Sequence, residues 1–559
     1  VKRSALSAAI SLVSLAAYSG LSQAQGELRL EEITVVAEKR AESLQDVSQA
    51  VTALTGSDLD VKNINSFVDI SGIAPGVTIA KNEGFKTVIS IRGIGNEANQ
   101  NAVANPSVSY HMDGIYIASP FALQTDFIDV SRIEALRGPQ GTLFGQNSTG
   151  GAINVISEVP DTEAFSGKAD ITVGNYDLVK VRGTVNVPVS DSVAMRTSFA
   201  KYEHSGFAKN ILSGQELDEA DNISARTDWM FDLSETISLR VFAQYFNEES
   251  AGAAIKGIYD PTPGERRLAQ DSNARYELDS KIVGAIYEWD AGVASVKALA
   301  SWQEDDILIE RDNDRHSYLT NPEVTISEYS PETNKQTTRT LEVNIISNEA
   351  LFGNVDWIVG AFYLDTEIDI SIREGLDSNR NGQLDGYAES FPEVFGGDVG
   401  FVSDARPQRE SISLYGQTTW SINDSTRLIT GLRYTEDDVN SKVANFFSST
   451  PDIIQTSSDA VTGRLAVEHD LSGDAMFYVS FTRGFKPGGS NLTYGNNEDG
   501  SPALVLPSYE DETINSFEAG LKTEMMDGRL RANVAAFFYD YENMQFQATD
   551  PDPFQGGVA

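Results

Sequence analysis

The chain has 559 residues, enough for roughly two to four ordinary domains or for a small domain joined to one large β structure. Its 82 acidic residues against 42 basic ones give a net charge of −40, which excludes the basic footprint that nucleic acid requires. There is no cysteine, so disulfides, thiolate metal sites and cysteine nucleophiles are excluded together.

At the N-terminus, Lys2 and Arg3 precede a charge-free stretch that ends in small residues, with Ser22-Gln23-Ala24 as the cleavage triplet. The apolar centre from Ala5 to Ala17 is short and dotted with serine, so it reads as a cleaved export signal over residues 1–24 rather than a spanning helix. Residues 25–45 form a polar segment whose short β-prone core, Ile33 to Val36, reads as an exposed, mobile strand. From Asp46 to Ser157 helical and strand signals mix. Leu59, Ile64, Phe67 and Val68 fall at helical spacing within 57–70, and 87–91 and 107–112 read as strands, which predicts a compact α+β domain.

That domain ends in SRIEALRGPQGTLFGQNSTGGAINVIS, residues 131–157, with glycines at Gly138, Gly141, Gly145, Gly150 and Gly151. The GPQGTLFG spacing matches neither GxGxxG nor GxxxxGK[ST], so these glycines read as tight turns of a compact domain rather than a phosphate cradle.

From Phe165 to the end, strand-length runs of period-two alternation follow one another. LVKVRGTVNVPV sets Val179, Val181, Val185 and Val187 against Lys180, Arg182, Thr184 and Asn186. GRLRANVAAFFYDY likewise sets Leu530, Val534 and Phe538 against Arg529, Arg531 and Asn533. Short turns at 188–193, 232–236, 421–426, 470–475 and 525–530 alternate with long polar excursions at 249–275, 306–334, 370–407, 439–456 and 487–510. Turns on one rim and long loops on the other predict a transmembrane barrel with lipid outside, and Tyr245, Tyr434, Tyr539 and Tyr541 read as interfacial girdle residues. About fifteen strands are countable and the chain stops in the loop-like DPDPFQGGVA. Single-chain bacterial barrels have an even strand number, so an incomplete C-terminus is expected.

An export signal, a short strand, an α+β domain and a large barrel, in that order, resemble the TonB-dependent outer-membrane receptors. The resemblance is carried by EEITVVAEKR (31–40), SIRGIG (90–95), VSYHMDGIYI (108–117), the glycine-rich run above, FYVSFTRGFKPGG (477–489) and the segment 515–545. It implies a mainly β fold, a barrel of about 22 antiparallel strands with some seven absent here, plugged by residues 46–157 and with its wall starting near 165. It also implies a monomer in the outer membrane of a Gram-negative cell, active import powered through TonB, and no enzymatic activity. HExxH and GxSxG are missing as well.

By the same resemblance, Glu31, Glu32, Ile33, Thr34, Val35, Val36 and Ala37 form a TonB box that adds to a partner's sheet by backbone hydrogen bonds. Plug arginines Arg92 and Arg137 are expected to dock on barrel glutamates, Glu518 first and Glu342 second. The loop DSNRNGQLD resembles a calcium loop with oxygens from Asp377, Asn379, Asn381 and Asp385. Its twelfth position is Ala388, and a plain polar turn is the alternative.

No cofactor is required; Ca²⁺ in that loop would be structural, and iron enters only within the transported ligand. A ferric siderophore is the leading ligand, with cobalamin and saccharides as alternatives and a β-rich adhesin as a rival of another class. Its contacts are expected at the plug apices, Asn82, Phe85, Asn96, Asn99 and Asn101, together with the long loops.

Overall fold

A computed structural model describes residues 32–82, 86–95, 105–125, 127–257, 260–312, 315, 328–373, 375–376, 402–445, 452–490, 493–496, 502–505 and 508–545. The export signal, Glu31, Phe85, Asn96, Asn99, Asn101 and the loop from Asp377 to Asp385 lie outside these residues, as does the side chain of Asn82.

Residues 46–157 build a small α+β unit around a five-stranded mixed sheet. Its strands are ordered Val51–Thr55, Val130–Arg137, Gly151–Ser157, Val108–Met112 and Ile115–Ile117, with a separate hairpin of Val77–Asn82 and Lys86–Ile91. The helical periodicity over 57–70 resolves into two short helices, Gly56–Lys62 and Phe67–Ile70. Thr55 caps the first through a reciprocal pair with Asp58, and Asn63, left-handed at φ 53°, ends it. Leu59, Ile64 and Phe67 still converge on one core with Ile91, Ile133 and Ile153, so the spacing was informative although the helix is broken.

Fifteen strands then follow one another in antiparallel order from Ser166–Val173 to Leu530–Glu542, with the short Gly375–Leu376 pairing onto Glu328–Ser347. Connections at 190–193, 234–237, 290–294, 347–355, 423–426, 472–475 and 525–530 all lie on one rim and are short. The other rim carries the long ones. Several strands run much further toward that rim than the polar excursions suggested. Ala294–Asp312, Glu328–Ser347, Val402–Asn423 and Thr426–Asn445 continue into the stretches read as loops. At 22 residues, Val402–Asn423 exceeds the roughly 9–11 that cross a bilayer, so the wall projects beyond the lipid and its outer part is polar without ceasing to be β.

Burial separates a membrane barrel from a soluble sandwich. Lys180 and Asn186 are 5% and 0% exposed, whereas Val179 and Val185 on the same strand are each 41% exposed. The polar face therefore looks inward and the apolar face outward, the reverse of a soluble β protein. The inner face is not uniformly polar. Phe242, Ile282, Ile286 and Leu299 pack directly into the plug core.

Parity along the last strand corrects two of the girdle assignments. Val534 and Phe538 face out, so Tyr539 and Tyr541 face in, and their hydroxyls meet Arg92 and Glu512. Tyr245 and Tyr434 are on the exposed face.

Candidate functional site, the plug and barrel interface

The β-prone core at the N-terminus is docked rather than free. Thr34–Val35 pairs antiparallel with Glu42–Ser43, and Leu44 N–H donates to Ile33 O at 2.8 Å. The Val36 amide donates to both carboxylate oxygens of Glu134, at 3.0 and 3.1 Å. Glu134 is fully buried in Val130–Arg137, and Arg132 Nε donates to it at 2.7 Å. Burial pushes the Glu134 carboxyl above its ordinary range, against the opposing pull of Arg132 and the Val36 amide. Alternation explains the docking: Glu32 and Thr34 are exposed, while Val35 and Ala37 join a cluster with Val47, Leu136 and Phe144.

Three consecutive charges follow, and each engages the barrel wall on its short-turn side. Glu38 accepts from Arg464 Nη1 at 2.7 Å and from Gln417 Nε2 at 2.9 Å. Lys39 pairs with Glu342, which also accepts from Tyr415 Oη at 2.8 Å and Asn344 Nδ2 at 2.7 Å. Arg40 donates to Trp357 O and Ser347 Oγ, both at 2.7 Å. Glu342 is thus occupied by a lysine of the N-terminal segment, not by a plug arginine. The side chains of Glu38 and Arg464 are 6% and 7% exposed, so that pair is largely desolvated, whereas Arg40 at the end of the strap is partly solvated.

Arg92 stands at φ 54° in the turn before Gly93 and sends its guanidinium to the last strands. Its Nη1 lies 2.7 Å from Glu518 Oε2 and 2.8 Å from Tyr539 Oη, with the cation 3.9 Å above the Phe537 ring. Tyr478 Oη and the Ala50 amide donate to the other Glu518 oxygen, at 2.6 and 3.2 Å. Arg137 does not share this carboxylate. It donates to Pro75 O at 3.2 Å, and its Nε has no partner among the described residues. Glu518 thus takes one donor on Oε2 and two on Oε1, none of them from Arg137.

Sequence reasoning missed a second ionic anchor. Plug Asp113 pairs with Arg226 at 2.8 Å and Arg240 at 3.4 Å, and barrel Asp228 bridges the same two arginines at 2.6 and 2.7 Å. Two carboxylates and two guanidiniums balance, and Ser157 supplies Asp113 with two further bonds. The Asp113-Gly114 pair was a readable turn signal, but nothing local named its partners.

The glycine-rich run supplies turns and also lies against the wall. At Gly145, φ 86°, a Cβ would sit 2.6 Å from the Arg433 guanidinium. At Gly151, φ 150°, it would meet Leu136 O at 2.2 Å. Gly138 N–H donates to Gly150 O at 3.0 Å, while Gly141 O accepts from barrel Thr462 at 2.9 Å. The run is therefore a seat as well as a set of turns.

Comparison with known proteins agrees with this architecture. The family model "TonB dependent receptor-like, beta-barrel" matches residues 212–558, and "TonB-dependent Receptor Plug Domain" matches 43–152. The pesticin receptor of Yersinia enterocolitica is 24% identical, over 93% of this chain and 72% of its own length. The ferric-pyoverdine 358 receptor of Pseudomonas putida is 22% identical, over 94% of this chain and 63% of its own. Among solved structures, the ferric yersiniabactin uptake receptor from Yersinia pestis shares the fold at a TM-score of 0.73 and 17% identity, covering 89% of this chain and 73% of that one. The ferripyoverdine receptor of Pseudomonas aeruginosa does so at 0.69 and 17%, covering 94% and 67%. With a polar-lined wall, a seated plug and a match across most of its length, the chain belongs to the TonB-dependent receptors of the outer membrane.

Proposed function

We propose that this receptor captures a ferric siderophore outside the cell and imports it into the periplasm with energy delivered through TonB to the Thr34–Val35 strand. The observation that carries the reading is the seated plug. Buried ion pairs tie it to the wall on several sides, and separating them strands uncompensated charges, so displacing the plug takes work. The strand that would receive that work lies at the short-turn rim, with Thr34 exposed and its neighbours strapped down.

Ligand class follows from kinship. The relatives are receptors for pesticin and ferric pyoverdine, and the structural neighbours include receptors for ferric yersiniabactin and ferripyoverdine. The test is growth of an iron-starved strain lacking its own siderophore receptors. Expression of the full-length protein should rescue growth on at least one of ferric yersiniabactin, ferripyoverdine and ferric alcaligin. Rescue by cobalamin or a saccharide instead would overturn the siderophore assignment.

A further inference from the structure

Two cations and one carboxylate meet where the N-terminal strap crosses the wall. Glu342 takes donors from Lys39, Asn344 and Tyr415, and all three end on Oε1, which leaves Oε2 without a donor among the described residues. The Tyr415 ring lies against Gly360 of the neighbouring strand, where a Cβ would overlap it, so its position is fixed. Lys39 Nζ stands 5.7 Å from the centroid of that ring and the Arg433 guanidinium 4.9 Å from it. Arg433 is 4% exposed. It donates from Nε to Thr435 Oγ1 at 3.1 Å, stands 5.6 Å from the Phe362 centroid and pairs with no carboxylate among the described residues. The carboxylate whose charge acts on it is Glu342. On its plug side Gly145 leaves so little room that a Cβ there would stand 2.6 Å from Nη2. These groups belong to Glu328–Ser347, Val355–Arg373, Val402–Asn423 and Thr426–Asn445, consecutive strands that are each paired on both sides, so their burial does not depend on either edge of the sheet.

Electrostatics gives this pocket two states. With the strap docked, Lys39 neutralises Glu342, and Arg433 has only aromatic faces and a hydroxyl, which stabilise a cation less than a carboxylate does. With the strap withdrawn, one buried anion and one buried cation remain without partners, and each is costly alone. Pairing them removes both costs together. The guanidinium hangs on a long side chain from a rigid strand, and turning it past the Tyr415 ring toward Oε2 takes it off Gly145.

We propose that Arg433 is a reserve counterion: when Lys39 leaves with the N-terminal strap, Arg433 swings to Glu342 and in doing so frees the glycine-rich run of the plug at Gly145. Withdrawal of the strap is taken from the import reading above. The handover links strap to plug through a side chain of the wall, so the run loosens after the strap has gone, with no pull on the run itself.

The test needs no transport. In the purified full-length receptor, Lys39→Met removes the strap's charge, and amide exchange is followed at Phe144, Gly145 and Asn147, whose N–H groups donate to Gln140 O and Phe485 O. Amide exchange there should rise roughly fivefold or more in Lys39→Met, and return to within about twofold of the unsubstituted receptor when Glu342→Gln is added, because Arg433 then has no carboxylate to move to. Unchanged amide exchange in Lys39→Met would overturn the proposal. So would amide exchange that stays high in the double variant, which would trace the loosening to lost packing of Val35 and Ala37 against Phe144. Protease resistance of the plug in Lys39→Met, Arg433→Met and their combination gives a second, independent reading. Each single change leaves Glu342 one cation, so the combination should lose about tenfold more resistance than the two single losses multiplied, and simple multiplication would contradict the handover. Absence of siderophore uptake by the unsubstituted receptor would remove the import reading and leave the handover standing.

Discussion

Glu518 holds the plug through three donors at once: Arg92, Tyr478 and the Ala50 amide. Glu518→Ala would leave the Arg92 guanidinium buried without a carboxylate, and a loss of about 3–5 kcal/mol in plug docking is expected, read as protease sensitivity of the plug and a lower denaturation midpoint. Arg137→Ala should cost far less, because no carboxylate pairs with it among the described residues. Equal losses in the two variants would contradict this assignment of the anchor. Glu42 adds a pH dependence to the docked strand. Burial, reinforced by Glu38 and Glu468, pushes its carboxyl up to about 8. A raised value in the docked state means that the docked state binds the proton more tightly than the released one. Its contribution is fully present below the ordinary value of 4.5 and is lost as pH rises through about 8. Amide exchange at Thr34 and Val35, corrected for its intrinsic rate, should therefore accelerate between about pH 4.5 and pH 8 and level off above, and Glu42→Gln should flatten that response. An unchanged profile in the variant would assign the response to another group.

The strands are the most legible elements, because period-two alternation is local and strong. Inversion of burial follows from the same pattern once the connections are sorted by length. Leu414, 63% exposed on the outer face, is therefore expected to reject charge: Leu414→Arg should cost about 2–4 kcal/mol in unfolding from lipid. Indifference to that change would argue against a lipid-facing wall there. Gly145 tests the seat of the glycine-rich run. With φ at 86° and the Arg433 guanidinium 2.6 Å from the position of a Cβ, Gly145→Ala should destabilise the plug by about 1–3 kcal/mol, again by protease resistance. Errors arose where a local signal was overruled from a distance. Asn63 broke a helix whose apolar spacing was sound, and the polar outer parts of the strands resembled loops because hydropathy reports lipid contact rather than pairing. Tyr539 and Tyr541 were misplaced although the alternation of their own strand already put them on the inner face.

At the scale of the molecule, the domain order could be read from motifs, whereas the contacts that join plug to wall could not. Glu38 and Arg464 are 426 positions apart, and Lys39 and Glu342 are 303 apart, so no spacing encodes their meeting. Nor does a β-prone segment announce whether its edge is free or strapped, and that is why the N-terminal strand was expected to be mobile. On the import reading proposed above, the docked strand is the element that would be pulled. Thr34 is available at the surface, while Glu134 and the Glu38-Lys39-Arg40 strap resist release. On the proposed reading, work applied to this strand drives import. It is tested most directly by measuring iron-55 siderophore uptake and surface binding side by side for the receptor and for Val35→Pro, in cells with and without TonB. Binding should survive in every case, and uptake in the proline variant should fall to the level of cells lacking TonB. Uptake at the full rate in either the variant or the TonB-deficient cells would contradict it.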